Sequence, residues 1–274
     1  MRLLALLPLV LLAACDNTIQ PLIDGAETRF SVYGYLDTAA DTQFVRLESV
    51  RQTGVGARPS LEDVIVRSTD GSGEWRLWEH RAITLDDGAR GDLFFGVFRP
   101  EANQHYQVEA EASNGDVTRA TVSTPPIPEI VPGPPLGNAI SLTQHIEVSG
   151  LTLDPLRLTL LYAVREPDAS QAEQVIVDYG TGGIRIPQGW AFDVFLTRDH
   201  SAVLVGLGRN AADRDVALES IGVRTDILSP EWAHPRTSDN ITSGRGFFGA
   251  IGRYELYWVL ETDAVLTMGF VDGQ

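Results

Sequence analysis

His105-Tyr106-Gln107-Val108-Glu109-Ala110-Glu111 alternates polar and apolar side chains, and past the turn residues Asn114-Gly115 the alternation returns from Val117 to Val122. A period of two marks a strand with one face in a core, because successive side chains point to opposite faces of a sheet. Asn-Gly supplies the positive φ of a tight connection. The same signal extends upstream through Arg29 to Leu36, Gln43 to Glu48, Asp63 to Arg67 and Leu93 to Phe98. Val64–Ser68, the loop Thr69-Asp70-Gly71-Ser72-Gly73 and Glu74–Trp78 form the clearest hairpin. About seven short strands with a turn signal near every tenth residue predict an immunoglobulin-like β-sandwich over residues 28–124.

Thr124 to Pro135 concentrates prolines, which cannot donate to a central ladder, so residues 125–137 read as a semi-rigid linker. Beyond it the chain is again mainly β, and residues 138–274 read as a second β-rich domain. Its strand signals are Leu156–Val164, Gln174–Tyr179, Ala191–Leu196, Ala202–Leu207, Glu255–Leu260 and Ala264–Val271. Asp213 to Ile227 fits neither period cleanly and predicts one strand, with a helical turn near Ser229-Pro230-Glu231-Trp232.

The chain opens with Met1-Arg2, an apolar run from Leu3 to Leu12 and then Ala13-Ala14-Cys15, the layout of an export signal. That run is too short for a membrane span, which needs roughly 20 apolar residues. Leu12-Ala13-Ala14-Cys15 resembles the bacterial lipobox, which implies cleavage between Ala14 and Cys15 and a diacylglycerol thioether and acyl (palmitate) chains on Cys15. Residues 1–14 are then a signal peptide and 15–27, polar and carrying Pro21 and Gly25, a lipidated tether. Cys15 is the single cysteine, so neither a disulfide framework nor a cysteine-ligated metal can exist here.

Lys+Arg number 21 against 37 Asp+Glu, every base is arginine, and the net charge is −16. Nucleic acid is therefore not an expected partner, since binding a polyanion rests on clustered cations. Anionic lipid should repel this body too, leaving membrane residence to the acyl chains at about 0.8 kcal/mol per buried methylene.

Gly34-Tyr35-Leu36, the Asp70-Gly71 hairpin and above all Ser238-Asp239-Asn240-Ile241-Thr242-Ser243-Gly244-Arg245-Gly246-Phe247-Phe248-Gly249-Ala250 resemble a domain-of-unknown-function family of bacterial envelope lipoproteins. Its members pair a lipobox start with a closing Asn-Ile, Gly-x-Gly, Phe-Gly-Ala segment. They are often encoded near TonB-dependent receptors, so the resemblance implies an outer-membrane receptor or transporter as partner and an accessory role, with no chemistry attached. On physical grounds Gly244, Gly246 and Gly249 permit close approaches, and Phe247 and Phe248 can anchor a loop against a core or form a ligand rim.

Constellations for catalysis or metal are scarce. His80, His105, His145, His200 and His234 show no spacing that puts two ligands on one helical face, so no metal site is expected. No Gly-x-Ser-x-Gly elbow occurs, and a lipidated cysteine is not free to act as a nucleophile. Paired carboxylates for glycoside hydrolysis are defined by separation in space, and 37 acids offer too many pairs for sequence to choose. Asp86-Asp87-Gly88-Ala89-Arg90-Gly91-Asp92 has carboxylates suited to calcium but not the EF-hand spacing, and Arg90 opposes a cation. Its Arg90-Gly91-Asp92 matches an adhesion tripeptide, and Asn240-Ile241-Thr242 a glycosylation triplet. Trp75 and Trp78 lie three apart, so on one strand only one can enter the core and the other can stack a ligand such as a sugar. The expectation is a non-enzymatic, lipid-anchored accessory or binding protein without cofactor, held at the outer membrane and serving a transport system. The alternative is a carbohydrate-binding surface lipoprotein.

Overall fold

The computed structural model describes residues 30–50, 61–86, 88, 90–150, 156–233 and 239–273. The lipobox, Cys15 and the tether lie outside these residues, as do His234, Asp87 and Ala89. The fold is mainly β, in three sheets.

The first half supplies β1 (Phe30–Asp37), β2 (Thr42–Ser49), β3 (Ile65–Thr69), β4 (Arg76–Leu77), β5 (Glu79–Thr84), β6 (Arg90–Val97), β7 (His105–Glu111) and β8 (Val117–Ser123). The second supplies β9 (Glu129–Asn138), β10 (Ser141–Ser149), β11 (Leu156–Arg165), β12 (Glu173–Gly180), β13 (Ile184–Ile186), β14 (Gly189–Phe195), helix α1 (Leu196–Gly206) and β15 (Ala217–Leu228). A 3-10 turn (Pro230–Ala233), β16 (Ile241–Thr242), β17 (Gly244–Trp258), helix α2 (Thr262–Met268) and β18 (Val271–Asp272) close the chain. The long sheet runs β12-β11-β15-β17-β1-β2-β6-β5, with β18 beside β15. Two smaller sheets, β16-β8-β7-β3-β4 and β13-β14-β10-β9, complete the set.

β17 has 15 residues and serves both halves. Its first half pairs in parallel with β1, from Phe30↔Gly244 to Asp37↔Ile251, and its second half pairs antiparallel with β15, from Leu228↔Ile251 to Ile221↔Trp258. Even-numbered side chains of a strand share a face. Phe248 and Ala250 accordingly enter one core with Val32, Leu36, Val45, Phe94, Tyr106 and Val108. Tyr254, Leu256 and Trp258 pack on the other, with Leu160, Tyr162, Ile146, Phe192 and Val223. Both cores thus lie against the same face of one sheet, each covered by one of the smaller sheets.

Gly246 makes the close parallel pairing with β1 possible. Its φ is +123°, and a Cβ there would stand 2.0 Å from the Val32 carbonyl oxygen. At the junction Thr38 N–H donates to the Ile251 oxygen at 3.0 Å, and the Tyr254 hydroxyl donates to the Pro125 oxygen at 2.9 Å. Arg253 Nε reaches Asp226 at 3.0 Å.

Several expectations need correction. The proline-rich stretch 125–137 is no free linker, because 129–138 is strand β9, paired with β10 from Ser141↔Asn138 to Ser149↔Glu129. It takes the edge of its sheet, where prolines are tolerated because the missing N–H would face outward. Nor do residues 28–124 close by themselves, since the layer holding β1 is completed by residues 244–251. The late glycine segment is a strand rather than a loop. Residues 202–206 and 264–268 are helical: Leu196, Asp199, His200, Val203 and Leu204 bury one face of α1, and α2 stops at Gly269 with φ +106°. By contrast Asp213–Ile227 does contain one strand, β15, followed by the expected helical turn.

A fragment spanning 30–124 lacks Phe248, Ala250 and the parallel partner of β1. It should show no cooperative melting by circular dichroism, whereas the same residues within the full chain melt with the rest. A sharp, reversible transition for the fragment would contradict a core shared through β17.

Candidate functional site

On the face of the long sheet opposite the two cores, β1 presents Tyr33 and Tyr35, and the register sets Arg46 and Phe44 of β2 beside them. Leu93 and Phe95 of β6 continue the row, because Phe44 pairs with Phe95 and Arg46 with Leu93. On the other flank Tyr33 lies beside Phe247 and Tyr35 beside Gly249. Trp232, from the 3-10 turn, sits over that glycine, where a Cβ would stand 2.8 Å from its indole nitrogen. The missing side chain at 249 is therefore the seat of a tryptophan.

The rings pair in two sets. Phe95 and Phe44 are 6.5 Å apart between centroids, Tyr35 and Trp232 5.7 Å, and Trp232 and Phe247 4.8 Å with an edge-on tilt of 67°. Arg46 lies 5.1 Å over Tyr33, and Arg81 of β5 lies 5.0 Å over Phe95. The Trp232 indole donates to the Ala250 oxygen at 3.1 Å, which fixes the ring against the sheet. Tyr33, Tyr35 and Phe44 stay 39%, 44% and 48% exposed, unusual for three neighbouring aromatic side chains. A cleft of about 310 Å³ opens between them, floored by Gly34 and closed at one end by Asp37, Ala40 and Gln43. Gln43 is buried and spent on the turn, its amide bonded to the backbone of Asp37 and Ala40.

A fully buried carboxylate lies elsewhere. Asp199 on α1 is fully buried, and its Oδ2 accepts from the hydroxyls of Tyr162 and Tyr179, each at 2.8 Å. Tyr179 in turn accepts the Phe195 N–H at 2.8 Å, and Arg198 stacks 5.2 Å over its ring. Burial raises the Asp199 pKa above the ordinary aspartate value, against the opposing pull of both tyrosine hydrogen bonds and of Arg198, whose guanidinium stands 3.7 Å from Oδ1. Neighbouring His200 is pushed down by burial and by Arg214. The aromatic cleft does not include this cluster, which ties α1 to β11 and β12 and reads as a polar lock on the second core.

The residues singled out by sequence do not gather. His80 pairs with Asp92 at 2.9 Å, His105 contacts Ser123 at 3.3 Å and His145 meets Asp193 at 2.8 Å, each on a different sheet or strand. Among the described residues no group of three or more His, Cys, Asp or Glu is placed to hold a metal. Asp92 belongs to β6 rather than to a loop, and Arg90 reaches Glu62 at 2.9 Å. Trp78 is the buried tryptophan and Trp75 the exposed one, as the spacing requires, but the Arg67 guanidinium covers the Trp75 ring at 4.7 Å. Arg67 and Arg119 also grip the buried Glu109, whose pKa burial would raise; the two guanidinium hydrogen bonds outweigh that and hold it low. Asn240 is a strut, its amide donating to the oxygens of Thr121 and Phe248 at 2.7 Å. The aromatic face was missed, although Tyr33/Tyr35, Phe44/Arg46 and Leu93/Phe95 each repeat at the strand period.

No helix among the described residues is long and apolar enough to cross a membrane. Because the folded pKa of Asp199 lies above its unfolded value, its contribution to stability is complete below about pH 3.8, the ordinary aspartate value, and is lost as pH rises through the folded pKa. Urea unfolding of Asp199→Asn against the native chain from pH 4 to 7 should show the variant gaining on the native protein as pH rises. A constant difference across that range would mean that Asp199 does not titrate with folding. No protein-family model matches the chain, and the comparison with curated proteins gives no match.

Proposed function

We propose that this chain is a lipid-anchored, non-enzymatic binding component of a bacterial envelope, and that the aromatic face of its long sheet docks a protein partner of an outer-membrane transport system. One observation carries the reading: exposed aromatic rings and guanidinium groups are concentrated on a sheet face that neither smaller sheet covers among the described residues. Tyr, Trp, Phe and Arg are the side chains enriched at the energetic centres of protein interfaces, where rigid rings bury large area at low entropic cost. The anchor rests on Cys15 and the tether that follows it. An acidic body repelled by anionic lipid would stand off the bilayer, leaving a sheet face accessible to a neighbouring protein.

A photo-crosslinking residue at Phe44 should capture one envelope receptor or transporter in intact cells, while the same residue at Ile65, exposed on the five-stranded sheet, should capture none. Equal capture from both positions, or none from Phe44, would refute the docking face. The carbohydrate reading gains support from the cleft between Tyr33, Tyr35 and Phe44, since bare rings beside polar groups suit sugar stacking. Saturable binding of oligosaccharides, abolished by Phe44→Ala, would favour it over a protein partner.

Cys15→Ser should remove the acylation site, ending incorporation of labelled palmitate and releasing the protein from membranes in high salt. Retention of both label and membrane fractionation would place the anchor elsewhere.

A further inference from the structure

A second concavity, lined by residues of the second half of the chain, has a different chemistry. About 740 Å³ in volume, it opens between the proline-bearing edge strand β9 and the corner where β17 turns into α2. Pro132 and Pro135 of β9 and Trp258 of β17 line it. Glu261 and Asp263 line its mouth. Both are exposed, and Glu261, although it is the N-cap of α2, makes no side-chain capping bond.

The independent observation is Gln144, from β10, which lines the same cavity and is 2% exposed. Its Nε2 donates to the Gly133 oxygen at 2.7 Å, so the orientation of the amide is set. Oε1 is then left buried without a hydrogen-bond partner. A buried carbonyl oxygen lacking a donor carries an unrelieved desolvation penalty, which a ligand can relieve. The Trp258 indole N–H is likewise without an acceptor. Three oxygen-bearing groups therefore ask for hydrogen-bond donors, two of them as carboxylates, between apolar walls that end in an aromatic ring.

We propose that this cavity binds an arginine or lysine side chain presented by an extended peptide segment of a partner. The aliphatic stem would pass between the proline rings and Trp258, and the cationic head would donate to Glu261, Asp263 and the Gln144 oxygen. Arginine fits best, since its planar fork offers five donors and stacks on aromatic rings. A backbone carbonyl of the same segment would take up the indole N–H. The net charge of −16 favours the encounter with a basic segment over an acidic one. The site is separate from the aromatic face, and neither reading depends on the other.

Titration calorimetry on the full chain in mild detergent, with acetyl-Ala-Arg-Ala-amide as probe, should give saturable binding. An acetyl-Ala-Glu-Ala-amide control should give none. Glu261→Gln combined with Asp263→Asn should weaken the arginine peptide at least tenfold while the chain still melts cooperatively, because both side chains are exposed. Gln144→Met, matched in size, should weaken it independently while Phe44→Ala leaves it unchanged. Absence of binding, equal binding of the glutamate peptide, or undiminished affinity in the double carboxylate variant would overturn the assignment. Agmatine, the free cation, should bind more weakly than the peptide; equal affinity would mean that no peptide is recognised.

Discussion

One strand belongs to two cores, and most of the molecule follows from that. A strand of ordinary length covers a single hydrophobic layer, but the 15 residues of β17 are long enough to pair with β1 along one half and β15 along the other. Because its inward side chains keep one parity from Phe248 to Trp258, the two halves cannot face opposite ways. The smaller sheets must both lie on that side. Neither smaller sheet lies on the other side among the described residues, and the aromatic row is what the sequence places on part of it.

Each polar group at the junction reinforces this arrangement. Ser229 N–H donates to the Ala250 oxygen at 2.9 Å, and its hydroxyl accepts the Ala250 N–H at 2.8 Å, so the turn bearing Trp232 is hydrogen-bonded to β17 at the point where the strand changes partners. Arg253 joins Asp226 of β15 to Asp37 at the end of β1, at 3.0 and 3.5 Å. Such bridges are partly exposed and each contributes little, about 1 kcal/mol or less. Their effect is geometric, holding β1 and β15 at a set offset along the strand they share.

How far the sequence could be read depended on the range of the interactions involved. β1, β2, β7, β8, β11 and β12 were legible because their alternation is local and their connections carry turn formers, Asp41, Asn114-Gly115 and Pro167-Asp168. The helix α1 was not, because two of its five buried positions are Asp199 and His200, which hide the 3.6-residue period from an apolar pattern. Val203 and Val205, β-branched, added a strand-like signal. α2 carried its stop signal openly in Gly269, yet seven residues are too few for periodicity to speak. β9 was hidden by its own prolines, which read as a linker until the edge position is known. The aromatic row was written at period two in three strands, but sequence cannot say that these strands neighbour one another, or that the last member arrives from residue 247. The cavity beside β9 was equally invisible, since Gln144 and Glu261 meet only through tertiary folding.

The parallel pairing of β1 with β17 also has a consequence for synthesis. The partner of Phe30 is Gly244, so more than 200 residues must be made before the edge of β1 can be covered. At roughly 5–20 residues per second, that edge waits on the order of ten to forty seconds. During that interval Tyr33 and Tyr35 and an unpaired backbone edge are exposed together, the combination that invites strand-to-strand aggregation. The edge of the β1–β2 hairpin therefore stays open until the Gly244–Ala250 segment arrives.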